Sequence, residues 1–434
     1  MWFAVSLAAS TATLAGVLWT WARIPDLATR VLLLAVWLRY VLSAFHEITF
    51  DPLVAGFSIN ALASAGVALV GLALVEPRLL ALKRLWSFWL LLGVICVSAL
   101  LNGTVGGLIN AGVKWAYFLA ILLLTYRAIR LYGRDAVLRA LLIAMLTPLV
   151  LQACSIVFGV SKIADTDGAR SFIGGYHHEA AFSVMLFSFL CVGALVGRQS
   201  AWRLTAVVGA AILGILLANY RTTIIAALPV VLAVLALGAA RFAPRGSAGP
   251  LAITGGLLLA VLAVSFADRM PERFADVVRV VQAAPDLVKN PLFFTEAERD
   301  LFTGRIYWWA RYLGAWNAGD ALVTLIGFGP DAWEDRMALY AHNTLVSYTY
   351  EFGLLGLLAL LTFMGAMLVT SLAVEDSQVR YRLLAMHVGF FVLNQATMPL
   401  WQIEGVILYA ILCAAGLAAV SERRIARGYA AIPA

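Results

Sequence analysis

Apolar residues run through this chain in long blocks separated by short polar breaks. A helix needs roughly 17 to 25 apolar residues to cross about 30 Å of hydrocarbon. Blocks of that length fall at 2–21, 31–48, 54–75, 85–101, 113–128, 136–158, 180–197, 203–218, 223–240, 250–267, 344–373, 383–399 and 402–420. They predict thirteen spans, or twelve where a tight hairpin merges two. A bilayer core has no water to satisfy a backbone that does not bond within its own segment, so the spans are predicted to be helices. The expected fold is an all-α polytopic membrane protein with 12–13 transmembrane helices. Met1 leads straight into the first block, with no basic stretch and no cleavage site before Arg23, so that block is expected to remain as a span.

One long segment interrupts the pattern. Residues 268–340 carry 8 Lys and Arg against 11 Asp and Glu and are rich in Trp, Tyr and Phe, too aromatic for disorder. A connection of this length is usually functional. Within it, 271–283 (Phe274, Val277, Val278, Val281) and 305–318 (Ile306, Trp309, Leu313, Trp316) have the spacing of amphipathic helices lying on a membrane face or on the bundle. The chain therefore divides into helices one to ten over 1–267, a partly helical loop over 268–340, and the last three helices with a short tail over 341–434.

Composition sharpens this picture. The chain is 63% hydrophobic and 13% charged, against about 25% charged in soluble proteins, which excludes an ordinary soluble enzyme. Its net charge of +7 is distributed unevenly. Alternate connections, from Arg23 and Arg30 through to Arg423, Arg424 and Arg427, hold eighteen of the 31 Lys and Arg, while 49–53, 102–112 and 398–402 hold none. By the positive-inside rule the first set is cytoplasmic, the C-terminus is inside, and thirteen spans place the N-terminus outside. The basic balance is topology, and no nucleic-acid partner is implied. Cys96, Cys154, Cys191 and Cys413 lie in apolar runs without metal-ligand spacing, and read as small hydrophobes.

Scarce charge near the outer edge of the spans is expensive, and so marks candidate chemistry. Arg221 sits in Asn219-Tyr220-Arg221-Thr222-Thr223, the one polar break in the apolar run 203–240. A guanidinium there, followed by a helix N-terminus, suits an anion; the alternative is an arginine snorkelling to headgroups, against the positive-inside trend. Arg305 follows Thr303-Gly304, where Thr303 is expected to cap the helix whose first turn holds Arg305; the alternative is a solvated loop arginine. His342, in Ala341-His342-Asn343-Thr344, is placed in the first turn of span eleven, where the helix dipole favours a neutral imidazole able to accept a proton. Glu351, nine residues on, points to the opposite face and reads as a structural partner for a buried Arg or a backbone donor.

Weaker signals complete the set. Asp165-Thr166-Asp167 has the spacing by which many sugar transferases hold a metal, but it lies outside, lacks a third ligand, and is not taken as a metal site. In His177-His178-Glu179 adjacent residues do not face one point, so substrate hydrogen bonding or a wet loop is expected rather than a metal. Arg39 and Lys114 either snorkel or line a cavity.

These residues carry a resemblance. His342-Asn343-Thr344-Leu345 leading to Glu351-Phe352-Gly353-Leu354-Leu355-Gly356, after a large outer loop containing Gly327-Phe328-Gly329-Pro330, resembles the signature of the O-antigen ligase and polymerase superfamily. Ala169-Arg170-Ser171-Phe172-Ile173-Gly174-Gly175-Tyr176 and the Arg221 turn sit where that superfamily carries its other basic positions. The likeness covers roughly residues 165–375. The chain departs from it at His177-His178, where relatives often have Pro-Asn.

The resemblance implies a glycosyltransferase C-like architecture. It also implies metal-independent, inverting transfer, with no cofactor, of a glycan from undecaprenyl diphosphate to an acceptor hydroxyl at the periplasmic face of the bacterial inner membrane. In the ligases the acceptor is lipid A-core; in the polymerases it is a second lipid-linked glycan. On this reading His342 is the general base and Arg221 and Arg305 bind the diphosphate. Arg170, His177, Tyr220 and Asn343 assist with donor or glycan, and Glu351 is structural. A secondary transporter is the reading from another class, but no inverted repeat or pair of broken spans supports it.

Overall fold

The computed structural model describes the chain except residues 55, 164–169, 198, 243–248, 250–254, 257–288, 303 and 431–434. The predicted tenth span, the amphipathic stretch 271–283, Asp165-Thr166-Asp167 and Thr303 therefore lie wholly or almost wholly outside the described residues. The rest is an all-α polytopic membrane protein. Among the described residues, eight helices are long and apolar enough to cross a bilayer, and three shorter apolar helices accompany them.

The principal helices of the described residues, in chain order, are α1 (Trp2–Trp21), α2 (Leu27–Ala44), α3 (Ile59–Ala73), α4 (Trp86–Asn102), α5 (Val105–Tyr132), α6 (Arg134–Ala144), α7 (Leu146–Val157), α8 (Glu179–Leu195), α9 (Ala201–Leu217), α10 (Arg221–Phe242), α11 (Arg305–Asn317), α12 (Ala321–Ile326), α13 (Thr344–Leu372), α14 (Ser377–Asn394) and α15 (Ile403–Ala430). α15 runs through the middle against α5, its residues from Val406 to Ala415 lacking solvent contact. α8 is likewise buried almost all round, as an evenly apolar helix must be. Outer helices instead show large apolar side chains to the surroundings, among them Phe3, Trp19, Leu69, Leu100, Leu232, Leu358 and Val369. Bands of that size on a protein surface face lipid rather than water.

Several boundaries differ from the sequence prediction, each for a local reason. The sixth span breaks at Met145 because Pro148, with no N–H, cannot bond the carbonyl of Ala144. The third begins at Ile59 rather than 54, since Pro52–Val54 and Phe57–Ser58 pair as a small hairpin and Ser58 caps the helix. Arg380 and Arg382 fall in the first turns of α14, where Arg382 is buried and donates to the Ala194 carbonyl at 2.8 Å.

The described part of the long segment builds a small aromatic core of its own against α13. Tyr312, Ala332, Met337, Ala341, Tyr350 and Met398 are its buried members, with Trp316, Phe328, Trp333 and Trp401 among those packed around them. Gly327 and Gly329 turn with φ of +70° and +94°, which glycine tolerates. The backbone between them adds to α13 as a strand would, Phe328 N–H donating to Tyr350 O and Gly329 N–H to Glu351 O. α13 opens for this at Gly353 (φ +64°), where a Cβ would meet the Leu325 carbonyl carbon at 2.4 Å.

Candidate functional site

α11 and the chain before α13 place His342. Tyr312 Oη donates to Leu339 O and Trp309 Nε1 to Ala341 O, both at 2.8 Å, so one helix face pins the backbone on both sides of Tyr340. Tyr312, outside the predicted apolar face, is the anchor, while Leu313 is exposed. His342 then takes φ +53°, a left-handed turn for which histidine has some tolerance. Its ring lies 4.0 Å, centroid to centroid, from that of Tyr340.

His342 is thus outside the first turn of α13, contrary to expectation, because Asn343 is the N-cap. Its neutral state has a different cause from the helix dipole. Burial, then the charge of Arg305 and then His178, pull its pKa down to about 4. The imidazole is uncharged at neutral pH and available as an acceptor.

Arg305 opens α11 after Gly304, which supplies the N-cap with no side-chain bond, while Thr303, expected to cap the helix, lies outside the described residues. The guanidinium is half-buried, reaches the Tyr220 hydroxyl at 3.5 Å, and makes no ion pair among the described residues. Tyr220 in turn donates to Ala396 O at 3.2 Å. Arg221, the next residue, is exposed at the start of α10 after a left-handed Asn219. Thr223, in the same polar break, is buried and bonded to Ser183 Oγ at 2.7 Å.

The other predicted residues divide. Asn343 is buried, and its Oδ1 accepts from the N–H groups of Leu345 and Val346; that capping role uses the acceptor expected to meet substrate. Glu351, 3% exposed, accepts from Ser347 Oγ at 2.6 Å and Asp331 N–H at 3.1 Å. Its partners are a hydroxyl and a backbone donor, with no arginine among the described residues. Arg170 is exposed on a two-stranded ribbon with Lys162–Ile163. His177 is exposed, its ring 5.0 Å from that of His46. His178 caps α8, Nδ1 accepting Ala180 N–H at 3.0 Å, which puts its proton on Nε2.

A cavity of about 460 Å³ lies next to these groups, with His177, His178, Tyr340, Trp401, Arg39, Lys114 and Glu404 in its lining, while His342, Arg305 and Arg221 are not part of it. Trp401 and Tyr340 lie nearly parallel, 6.4 Å apart, with Trp333 completing an aromatic wall. Arg39 is held by Glu404 at 2.9 Å and Asn60 at 3.1 Å. Sequence reasoning could not rank Arg39 and passed over Trp401 and Glu404. The signal was Glu404 itself, an acid opening an apolar span, which demands a buried cation.

Among the described residues no group of three or more His, Cys, Asp or Glu is placed to share a metal ion. What the arrangement offers is a neutral imidazole, a guanidinium without carboxylate among the described residues, two further histidines and flat aromatic faces at one end of a membrane-spanning bundle. No known protein family matches the chain, and no curated protein does so either.

Proposed function

We infer that this is a glycosyltransferase of the O-antigen ligase type, glycosyltransferase C-like in architecture. It would transfer a glycan from undecaprenyl diphosphate to a hydroxyl of lipid A-core at the periplasmic face of the bacterial inner membrane. The observation that carries the reading is the pairing of neutral His342 with Arg305, a half-buried cation that lacks a carboxylate among the described residues. An imidazole of that kind can take a proton, and a cation of that kind can hold an anion.

The acceptor hydroxyl attacks the anomeric carbon and gives its proton to His342. The bond from that carbon to the diphosphate oxygen breaks on the opposite face, the lipid diphosphate departs with the electron pair, and the configuration inverts. Negative charge growing on the diphosphate is met by Arg305 and Arg221, so the reaction needs no metal or cofactor. Trp401, Tyr340 and Trp333 give sugar rings an apolar face. Arg170 and His177, both exposed, would contact a long glycan. The same groups would serve a polymerase, and a transporter would have no use for a base beside a cation held for an anion.

The test is transfer by purified protein from a lipid-linked glycan, offered either lipid A-core or a second lipid-linked glycan. Product on lipid A-core supports the ligase; product only on the second donor makes it a polymerase, and no product with either overturns the reading. Loss of transfer in EDTA, restored by a divalent ion, would remove the metal-independent mechanism.

A further inference from the structure

The cavity below Tyr340 continues sideways. A second cavity of about 290 Å³ adjoins it between α3 and α5, and Arg39, Lys114 and Ile403 line both. The two cations differ. Arg39 is occupied by Glu404 and Asn60, whereas Lys114 Nζ rests 4.7 Å from the centroid of the Trp401 ring. Among the described residues Lys114 makes no hydrogen bond or ion pair. The walls beyond it are mainly apolar, formed by Leu62, Ala65, Ile109 and Val113. Leu62 and Ile109 are also exposed on the outside of the bundle, so the slot opens toward hydrocarbon.

An ammonium at the inner end of an apolar slot complements an amphiphile that carries an anion at its head. We propose that the slot binds a phosphate-bearing membrane lipid, its phosphate on Lys114 and its chain along Leu62, Ala65, Ile109 and Val113. This rests on the transferase reading and deepens it. One lipid reaches the reaction by way of Arg305, a second through the slot and the cavity it adjoins, whose Tyr340 ring packs against that of His342. Arg39 and Glu404, neutralising each other, leave the phosphate to Lys114.

Equilibrium binding of radiolabelled hexadecyl phosphate to the full-length protein in a non-ionic detergent tests this. Lys114→Met is expected to weaken binding by about tenfold or more, Lys114→Arg to restore most of it, and Leu62→Trp to weaken it with the cation intact. Hexadecylphosphocholine, with its charge cancelled, should bind poorly, and inorganic phosphate should not compete. Equal binding by Lys114→Met, or by Leu62→Trp, overturns the slot. So does equal binding of the phosphocholine, and displacement by inorganic phosphate reduces the site to a headgroup without a chain. Loss of binding in Arg305→Ala together with full binding in Lys114→Met puts the lipid at Arg305 and makes the proposal wrong. If lipid binding follows Lys114 while no glycan is ever transferred, the transferase reading fails and the slot stands.

Discussion

Two arginines near the same cavity have opposite surroundings. Arg39 is 12% exposed and enclosed by polar groups: Glu404, which also accepts from Ser43, and Asn60. Arg305 is half-buried with a tyrosine hydroxyl and a neutral histidine. The cost of taking a guanidinium out of water is offset in the first case by a fixed carboxylate and in the second by no fixed carboxylate among the described residues. A cation whose charge is already answered holds helices together; one whose charge is not answered is poised for a ligand. Arg39 ties α2 to α15, while Arg305 is the cation proposed to meet the diphosphate.

The sharpest way to break this contrast is His342→Ala. With the base gone, transfer should fall by about 10²–10⁴-fold while lipid-linked donor still binds, as followed by gel mobility of the product and by donor retention. Undiminished transfer would remove His342 as the base. Arg305→Ala comes next, with a loss of about 10²-fold. It also has a signature in pH. The base is competent when neutral, and its pKa is about 4, so transfer by the intact protein should hold level from neutral pH downward and fall only on approaching that value. Removing the Arg305 charge lets the pKa rise, so the acid limb of the pH–rate profile should move to higher pH. Burial, the larger cause, remains and keeps the move partial. An unmoved limb would mean that Arg305 does not sense His342.

Glu404→Gln tests the structural arginine. It leaves Arg39 buried with its charge unanswered and should cost about 3 kcal/mol of stability, read as a lowered Tm. A Tm unchanged by Glu404→Gln would show that the pair is not structural. The smallest effect is expected from Asn343→Ala, about 1 kcal/mol for a lost N-cap, with Asn343→Ser restoring most of the Tm. Were transfer abolished with Tm intact, Asn343 would belong with the substrate groups after all.

How far the sequence reached depended on the kind of signal. Long apolar blocks announced the membrane spans, because a helix in hydrocarbon has one length and one way to satisfy its backbone. Arg305 and His342 stood out because charge there is rare. Their relation did not, since 36 intervening residues hide that Trp309 and Tyr312 pin the backbone at Ala341 and Leu339. Asn343 reads as a ligand in the sequence because capping and substrate binding draw on the same amide. Nor does the sequence show that Thr223 is buried against Ser183, forty residues back.

Glu351 and the two glycine motifs show the same division. Gly327-Phe328-Gly329 and Glu351-Phe352-Gly353 are legible as motifs, yet only the folded chain lays one backbone on the other and opens α13 at Gly353 to receive it. Local chemistry is written in the chain: which stretches cannot face water, which positions need glycine, which rare charges have no solvent nearby. Whether a given charge is answered depends on groups far away in sequence, as Glu404 answers Arg39 across 365 positions. Sequence alone thus determined a polytopic α-helical protein with few costly charges. Tertiary structure decided which of those charges neutralise one another and which have no carboxylate beside them among the described residues, because neutralisation is a matter of distance in space.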